Sequence, residues 1–206
     1  CGLIYCNPLP SKKSVLDTYN LEADEYWSRS SLRFDSNPEY FSRQSKTALR
    51  FLQKSLGSNE KKFRALDVGV GTGKGMRALM HHGFDVDGIE PIPNFRDVAI
   101  QINDIKSTCI QLSTIENAVL PPLSYDFVTF GAVLEHLKNP YEALHKTSRA
   151  LRSGGIIHFE VPNSRWLVAS IIDFFYRLKI THYTTHLSPL HSPFHLYEFD
   201  KKSIFN

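Results

Sequence analysis

Cysteine is scarce. Cys1, Cys6 and Cys109 are the only three in 206 residues, too few for the disulfide framework that staples small secreted domains, so a reducing, cytoplasmic setting is the expectation. Charge of one sign is not in excess. The formal net charge is +3, and the lysines and arginines are scattered rather than clustered, which argues against a nucleic-acid partner. No apolar run approaches the roughly 20 residues that span a bilayer. No secretory leader and no internal repeat is visible. The chain opens on Cys1 rather than Met, as expected of a piece of a longer protein, so the missing leader carries little weight. With these exclusions made, the composition is that of an ordinary globular protein: 42% hydrophobic, 22% charged, and long enough for one domain with a core.

Strands and helices alternate along most of the chain. Residues 38–56 read as a helix with Phe41, Ala48, Leu49, Leu52 and Leu56 near one face. "FRALDVG" is a short apolar run of buried-strand type. Lys74 to His82 reads as a helix stopped by Gly83. "FDVDGIE" alternates like a strand, residues 94–104 read as a helix, and "TCIQLS" and "YDFVTFGAV" read as strands. Tyr141 to Leu151 reads as a helix closed by "RSGG", and "IIHFEVP" as a strand ended by Pro162. The order is β-α-β-α-β-β-α-β, with one more helix expected between the third and fourth strands. Such alternation argues for a doubly wound α/β fold with a mostly parallel sheet. Residues 1–40 read as irregular, and the tail after residue 180 as mostly loop. The expected organisation is an N-terminal capping segment over residues 1–58, a nucleotide-binding core over 59–165, and a substrate-side helix and His-rich loop over 166–206.

The stretch "ALDVGVGTGKGMRALM" carries the first chemical signal. Four alternating glycines follow a strand and precede a helix. A phosphate-binding P-loop would need Gly at position 68 and a hydroxyl after Lys74, where Val68 and Gly75 stand. The dinucleotide fingerprint would need its third Gly at Lys74 or Met76. Both readings fail. What stands is Asp67-x-Gly69-x-Gly71-x-Gly73, a turn whose backbone can approach a ligand without a Cβ in the way. It has no seat for a triphosphate, so the ligand expected is a nucleoside with a non-phosphate tail. Glu90, about 20 positions on, closes the next strand, where a carboxylate suits the two hydroxyls of a ribose.

These stretches, with "GIEP" and "YDFVTFGAVLEHLKNPYEALHKTSRALRSGGIIHFEVPN", resemble the successive motifs of class I S-adenosylmethionine-dependent methyltransferases. The resemblance covers residues 63–163. The ends, "CGLIYCNPLPS" and "HLYEFDKKSI", resemble a bacterial branch in which a cysteine zinc ribbon precedes the domain. Cys1 would then be a remnant of that ribbon, and no bound metal is expected. The resemblance implies a Rossmann-like sheet of seven strands in the order 3-2-1-4-5-7-6. Only five strands are legible, so strands 6 and 7 are missing from this reading. The fifth would then be an exposed edge, which a homodimer would cover.

The resemblance also implies roles. The methionine part of the cofactor S-adenosylmethionine would lie over Gly69, Gly71 and Gly73, with Asp67 near its amino group; a turn-capping Asp67 is the alternative. Glu90 would hold the ribose, with Pro91 or Ile92 flanking the adenine. Ser113, Thr114 or Ile115 would meet the adenine amino group. Gly131 and Ala132 would lie under the sulfonium. Asp126 is expected to serve the fold. His136, in "LEHL", follows the fourth strand at the end where parallel sheets bind ligands, and would act as a base or merely pack below the cofactor. His195, in "FHLYEF", would face the acceptor. The expected reaction is in-line methyl transfer to a hydroxyl, amine or carbon of a small molecule. The rivals are a non-catalytic cofactor-binding module and, against the failed third glycine, a nicotinamide-dependent oxidoreductase.

The substrate-side segment is harder to read. In "WLVASIIDFFYRLKI", Trp166, Leu167, Ile171, Phe174, Phe175 and Leu178 fit helical spacing, either packed on the sheet or forming a lid or membrane-surface contact. His182, His186, His191 and His195 have spacings that suggest metal ligands, but Pro189 and Pro193 break any single helix that would align them. Tyr26, Trp27 and Arg43 are candidates to close over the cofactor.

Overall fold

A computed structural model describes residues 2–11, 32–33, 38–57, 62–179 and 195–205. Tyr26, Trp27, His182, His186, His191 and Cys1 lie outside the described residues. The strands are β1 (Ile4–Tyr5), β2 (Arg64–Val68), β3 (Asp85–Glu90), β4 (Ile110–Leu112), β5 (Tyr125–Gly131), β6 (Leu151–Glu160) and β7 (Tyr197–Glu198). The helices are α1 (Pro38–Leu56), α2 (Lys74–His81), α3 (Pro93–Ile102), α4 (Pro140–Ala150), α5 (Leu167–Leu178) and α6 (Lys201–Phe205). The chain divides into two compact units. One comprises Asn20–Gly131 and Asn139–Phe159, the other Cys1–Tyr19, Ala132–Lys138 and Glu160–Asn206.

The first unit is built on a five-stranded sheet in the order β4-β3-β2-β5-β6. β2 pairs in parallel with β3 and β5, and β3 with β4. β6 runs the same way beside β5: the Ser124 N–H donates to the Ala150 carbonyl at one end, and the Ala132 N–H to the Glu160 carbonyl at the other. β2 lies at the centre, and four of its five residues are buried, as expected of a strand covered on both faces. Phe63, Phe84 and Phe127 stack through the core at centroid distances of 6.3 and 6.0 Å. Ala48 and Leu52 of α1 are buried with them in one cluster. α2 ends where Gly83 adopts φ 87°, and the Gly83 and Phe84 N–H groups return to the Met80 and Leu79 carbonyls, a left-handed helix stop. Asn139 caps α4, accepting from the Glu142 N–H at 3.2 Å, with Pro140 pre-set for the first turn.

Asp126 serves the fold, at the start of β5. It is fully buried. One carboxylate oxygen accepts from the Arg64 backbone N–H and from the Arg152 guanidinium, both at 2.8 Å. This ties β2, β5 and β6 together at their N-terminal ends.

Two sequence expectations are corrected here. "RSGG" does not form a loop; β6 runs through it. Gly155 allows this, because a Cβ there would meet the Asp126 carbonyl oxygen at 3.1 Å and Leu151 at 2.9 Å. No helix lies between β4 and β5. Residues 113–124 form a turn in which the Thr114 carbonyl accepts from Asn117 and Ala118, and Pro121-Pro122 blocks helix continuation. Among the described residues of the tail, β7 and α6 form.

In the second unit, β1 pairs antiparallel with β7, Ile4 opposite Glu198 and Tyr5 opposite Tyr197. The Cys6 N–H extends this pairing to the Leu196 carbonyl. The Leu196 N–H in turn donates to the Glu135 carbonyl at 2.7 Å. α5 forms as the spacing predicts. Its apolar residues are not packed away, however: Trp166, Leu167, Ile171, Phe174, Phe175 and Leu178 are 47–71% exposed. No helix among the described residues is long and apolar enough to cross a membrane.

Candidate active site

Parallel pairing brings the C-terminal ends of β2, β3, β4 and β5 to one edge of the sheet, the edge where open α/β sheets take ligands. The glycine turn leaves β2 there. Gly69, Gly71 and Gly73 have φ of 77°, 54° and 88°, the left-handed region that side chains disfavour. Gly73 has a second constraint. A Cβ there would stand 2.7 Å from Ile105 Cδ1 and 2.9 Å from Ala99 Cβ. Its role is therefore close packing of the turn on α3 rather than an open approach to a ligand.

Glu90 closes β3 beside this turn. One carboxylate oxygen accepts from the Gly71 N–H at 2.7 Å, the other from the Ile92 N–H at 2.9 Å. Each oxygen keeps a further lone pair for a ligand hydroxyl. Burial raises the Glu90 pKa to about 7, against the pull of those two N–H groups. Asp67, at the same edge on β2, is also buried, and burial plus the neighbouring Glu90 charge raise its pKa to about 7, while the Met76 N–H draws it down. Gly75 lies against Asp67: a Cβ there would be 3.2 Å from its carboxylate. The two acids thus form a local patch that favours a cation between them.

The remaining cofactor candidates divide by exposure. The Ser113 N–H donates to the Glu90 carbonyl at 3.2 Å, so Ser113 is held beside Glu90. Thr114 is exposed and Ile115 buried. Ile92 is half-buried and Pro91 exposed. Gly131 ends β5 in the open, with nothing within 4 Å of a Cβ. Ala132 follows with φ 55°, a strained conformation for a residue with a side chain. Arg43 lies exposed on α1.

The second unit holds His136 and His195. Leu134–His136 form one short 3-10 turn, three residues after β5 ends. The bond from Leu196 to the Glu135 carbonyl places His195 beside it. The two imidazoles meet edge to face, with centroids 5.0 Å apart. His195 Nδ1 is 2.8 Å from Glu198 Oε1. That bond is the main reason its pKa is raised, against a smaller effect of burial. Glu135 is 1% exposed, and neither carboxylate oxygen has a hydrogen-bond partner. Burial raises its pKa to about 7.

Comparison with known proteins agrees with this geometry. Residues 40–201 match the family model described as "Methyltransferase domain". The chain belongs to this family. Among curated relatives, the ubiquinone biosynthesis O-methyltransferase of Photorhabdus laumondii is 33% identical over 142 residues, 66% of this chain and 58% of the relative. The enzyme of the same name from Klebsiella pneumoniae is 30% identical over 130 residues, 60% of this chain and 53% of the relative. The chain therefore spans a little over half the length of these relatives. Among solved structures, a methyltransferase from Thermotoga maritima described as a possible histamine N-methyltransferase superposes with TM-score 0.52 at 18% identity, covering 84% of this chain and 75% of that one. The plantazolicin methyltransferase BpumL, in complex with S-adenosylhomocysteine, gives TM-score 0.53 at 18% identity, covering 83% and 59%. These likenesses show the fold. The fold they share with this chain is a Rossmann-like α/β sheet.

Sequence reasoning missed three residues. Asn103 is buried at the end of α3, and its amide donates to the Thr72 carbonyl at 2.6 Å and the Leu32 carbonyl at 3.0 Å. It fixes the glycine turn from behind. Its only signal was a polar residue closing a helix. Glu198 lies three residues after His195, a local spacing that was available to be read. Glu135 was passed over for its neighbour His136, since nothing in the sequence shows that its carboxylate is buried without partners.

Proposed function

We propose that this chain transfers the methyl group of S-adenosylmethionine to a small-molecule acceptor, an oxygen nucleophile foremost. The observation that carries the reading is Glu90 at the end of β3, bonded to the N–H groups of Gly71 and Ile92 with lone pairs left for two ribose hydroxyls. The bound cofactor supplies an already activated methyl group.

The chain's own residues do the rest. Asp67, ionised, would pair with the cofactor's ammonium group. Gly69, Gly71 and Gly73 shape the turn over which its methionine part lies. Ile92 and Pro91 flank the adenine, and Ser113, held against Glu90, is the best placed of Ser113, Thr114 and Ile115 to meet the adenine amino group. Gly131 and Ala132 leave the sulfonium end unobstructed. Much of the acceleration then comes from holding the acceptor lone pair in line with the methyl carbon. His136 and His195 supply the imidazoles that can take the acceptor's proton. Glu198 fixes the His195 tautomer and supports its proton-accepting form, as a carboxylate does for a catalytic imidazole. The names of the curated relatives favour an oxygen acceptor. The small net charge favours a small molecule over nucleic acid, and a cytoplasmic setting fits the scarcity of cysteine.

Methyl-labelled S-adenosylmethionine incubated with phenols, alcohols and amines tests the proposal. Label transfer that falls at least about 100-fold in His195→Asn, while S-adenosylhomocysteine affinity stays within about 2-fold, is the expected result. Transfer unaffected by that change would remove the histidine from the mechanism. Tight cofactor binding with no transfer to any acceptor class would favour a non-catalytic module.

A further inference from the structure

Glu135, His136 and His195 form the one group of three or more metal-ligating side chains among the described residues whose donor atoms converge, all within 4.8 Å of one another. We infer that Glu135, His136 and His195 form a binding site for a divalent first-row transition ion such as Zn(II). The spacing of His195 with His182, His186 and His191 is a separate metal signal; here an ion on Nε2 would hold His195 as a ligand in place of its proton-accepting role above.

The strongest observation is Glu135. Its side chain is 1% exposed, and neither oxygen has a hydrogen-bond partner. A buried carboxylate without partners is costly, and an ion is the partner that removes the cost most fully. His136 Nε2 is already 4.0 Å from Glu135 Oε1. An ion bonded to both would sit roughly 2.0–2.2 Å from each, so a contraction of about 1 Å or less is enough.

The supporting residues fit as well. A metal-bound imidazole characteristically gives its other ring N–H to a carboxylate. His195 has that arrangement, with Nδ1 on Glu198 at 2.8 Å, which directs Nε2 to the ion. The Glu198 side chain is 7% exposed. With neutral imidazoles, the two carboxylates carry two negative charges, which a dication balances. Two nitrogens and one carboxylate select zinc or a neighbouring transition ion over magnesium, which prefers oxygen throughout. Three protein ligands leave one coordination position open, the pattern of catalytic rather than structural zinc.

The anchoring is specific to the fold. Glu135 and His136 share one short turn, and Leu196 bonds the Glu135 carbonyl at 2.7 Å, which locks residue 195 beside it. Cys6 braces the same place, its thiol donating to the His195 carbonyl at 3.2 Å.

Calorimetric titration with ZnCl2, paired with the visible absorption of added Co(II), tests the site. The whole chain is compared with His195→Asn, Glu135→Gln, Glu198→Gln and a triple variant at His182, His186 and His191. S-adenosylhomocysteine binding by each variant reports that it is folded. The expected result is one equivalent of Zn(II) bound by the wild type and by the triple variant. Affinity should fall at least about 100-fold in His195→Asn and about 10–100-fold in Glu198→Gln. Should Glu135→Gln fail to fold, His195→Asn decides. A folded wild type that binds no zinc would overturn the proposal, as would zinc binding that survives His195→Asn or is lost only in the triple variant.

Discussion

Two buried carboxylates, Glu90 and Glu135, have the same raised pKa of about 7 and opposite surroundings. Glu90 ends a central strand and receives two backbone N–H bonds. Glu135 sits in a short turn with no neighbouring donor in hydrogen-bond geometry on either oxygen, and only its own backbone N–H and the nearby imidazoles work against its burial. The first is held in its working geometry by the sheet before any ligand arrives. The second is held in place but not satisfied, so its environment is completed only by something that binds. A site built from strand ends and a glycine turn is preorganised by backbone. A site built from a turn and a distant tail residue depends on side chains, and so on its occupant.

The sharpest way to break this contrast is to disturb the backbone of the first site. Gly73→Ala places a side chain at φ 88° against Ile105 and Ala99. Strain and overpacking together predict a loss of about 3 kcal/mol of stability, measured by urea unfolding, along with loss of cofactor binding. An alanine variant as stable as the wild type would show that the turn is not constrained as described.

Removing the brace behind the turn should have a smaller effect. Asn103→Ala leaves the Thr72 and Leu32 carbonyls without their donor, a cost of about 1–2 kcal/mol. The turn would loosen without losing its residues, so S-adenosylhomocysteine affinity should fall about 10-fold in calorimetry. No change would mean that the turn keeps its shape without Asn103.

The pH dependence of stability is the most diagnostic test, because both sites contribute to it. Asp67, Glu90 and Glu135 have pKa values raised to about 7 from 3.8, 4.5 and 4.5. Between about pH 4 and pH 7 the ligand-free folded chain keeps protons there that the unfolded chain has released. Stability therefore falls as pH rises through that window. The melting temperature of the ligand-free chain should fall from pH 5 to pH 8. Cofactor affinity should move the other way, since Asp67 must ionise to pair with an ammonium group. Asp67→Asn should flatten part of both trends.

How much of this was legible in the sequence follows the same division. β2, the glycine turn, α2, β3 and Glu90 are contiguous, and their spacing sufficed to place them. Asp126 was read as structural and proved to bridge Arg64 and Arg152. The pairing of β1 with β7 joins residues nearly the whole chain apart, and no local pattern reports such contacts. "RSGG" reads as a loop by composition, and only the close approach of β6 to β5 shows why glycines suit a strand there. The apolar face of α5 was legible as a helix, but periodicity says nothing about what covers it. His136 was visible as chemistry. Its grouping with Glu135, His195 and Glu198 was not, because the histidines are far apart in the chain and come together where the Leu196 N–H bonds the Glu135 carbonyl.

The most direct test of the central claim is calorimetric titration of the chain with S-adenosylhomocysteine, alongside Gly71→Arg and Glu90→Ala. The backbone-built site predicts binding by the wild type, none in Gly71→Arg, and an affinity about 10–100-fold weaker in Glu90→Ala, where two N–H groups lose their acceptor. A folded wild type that binds nothing, or a Glu90→Ala variant that binds as tightly as the wild type, would contradict it.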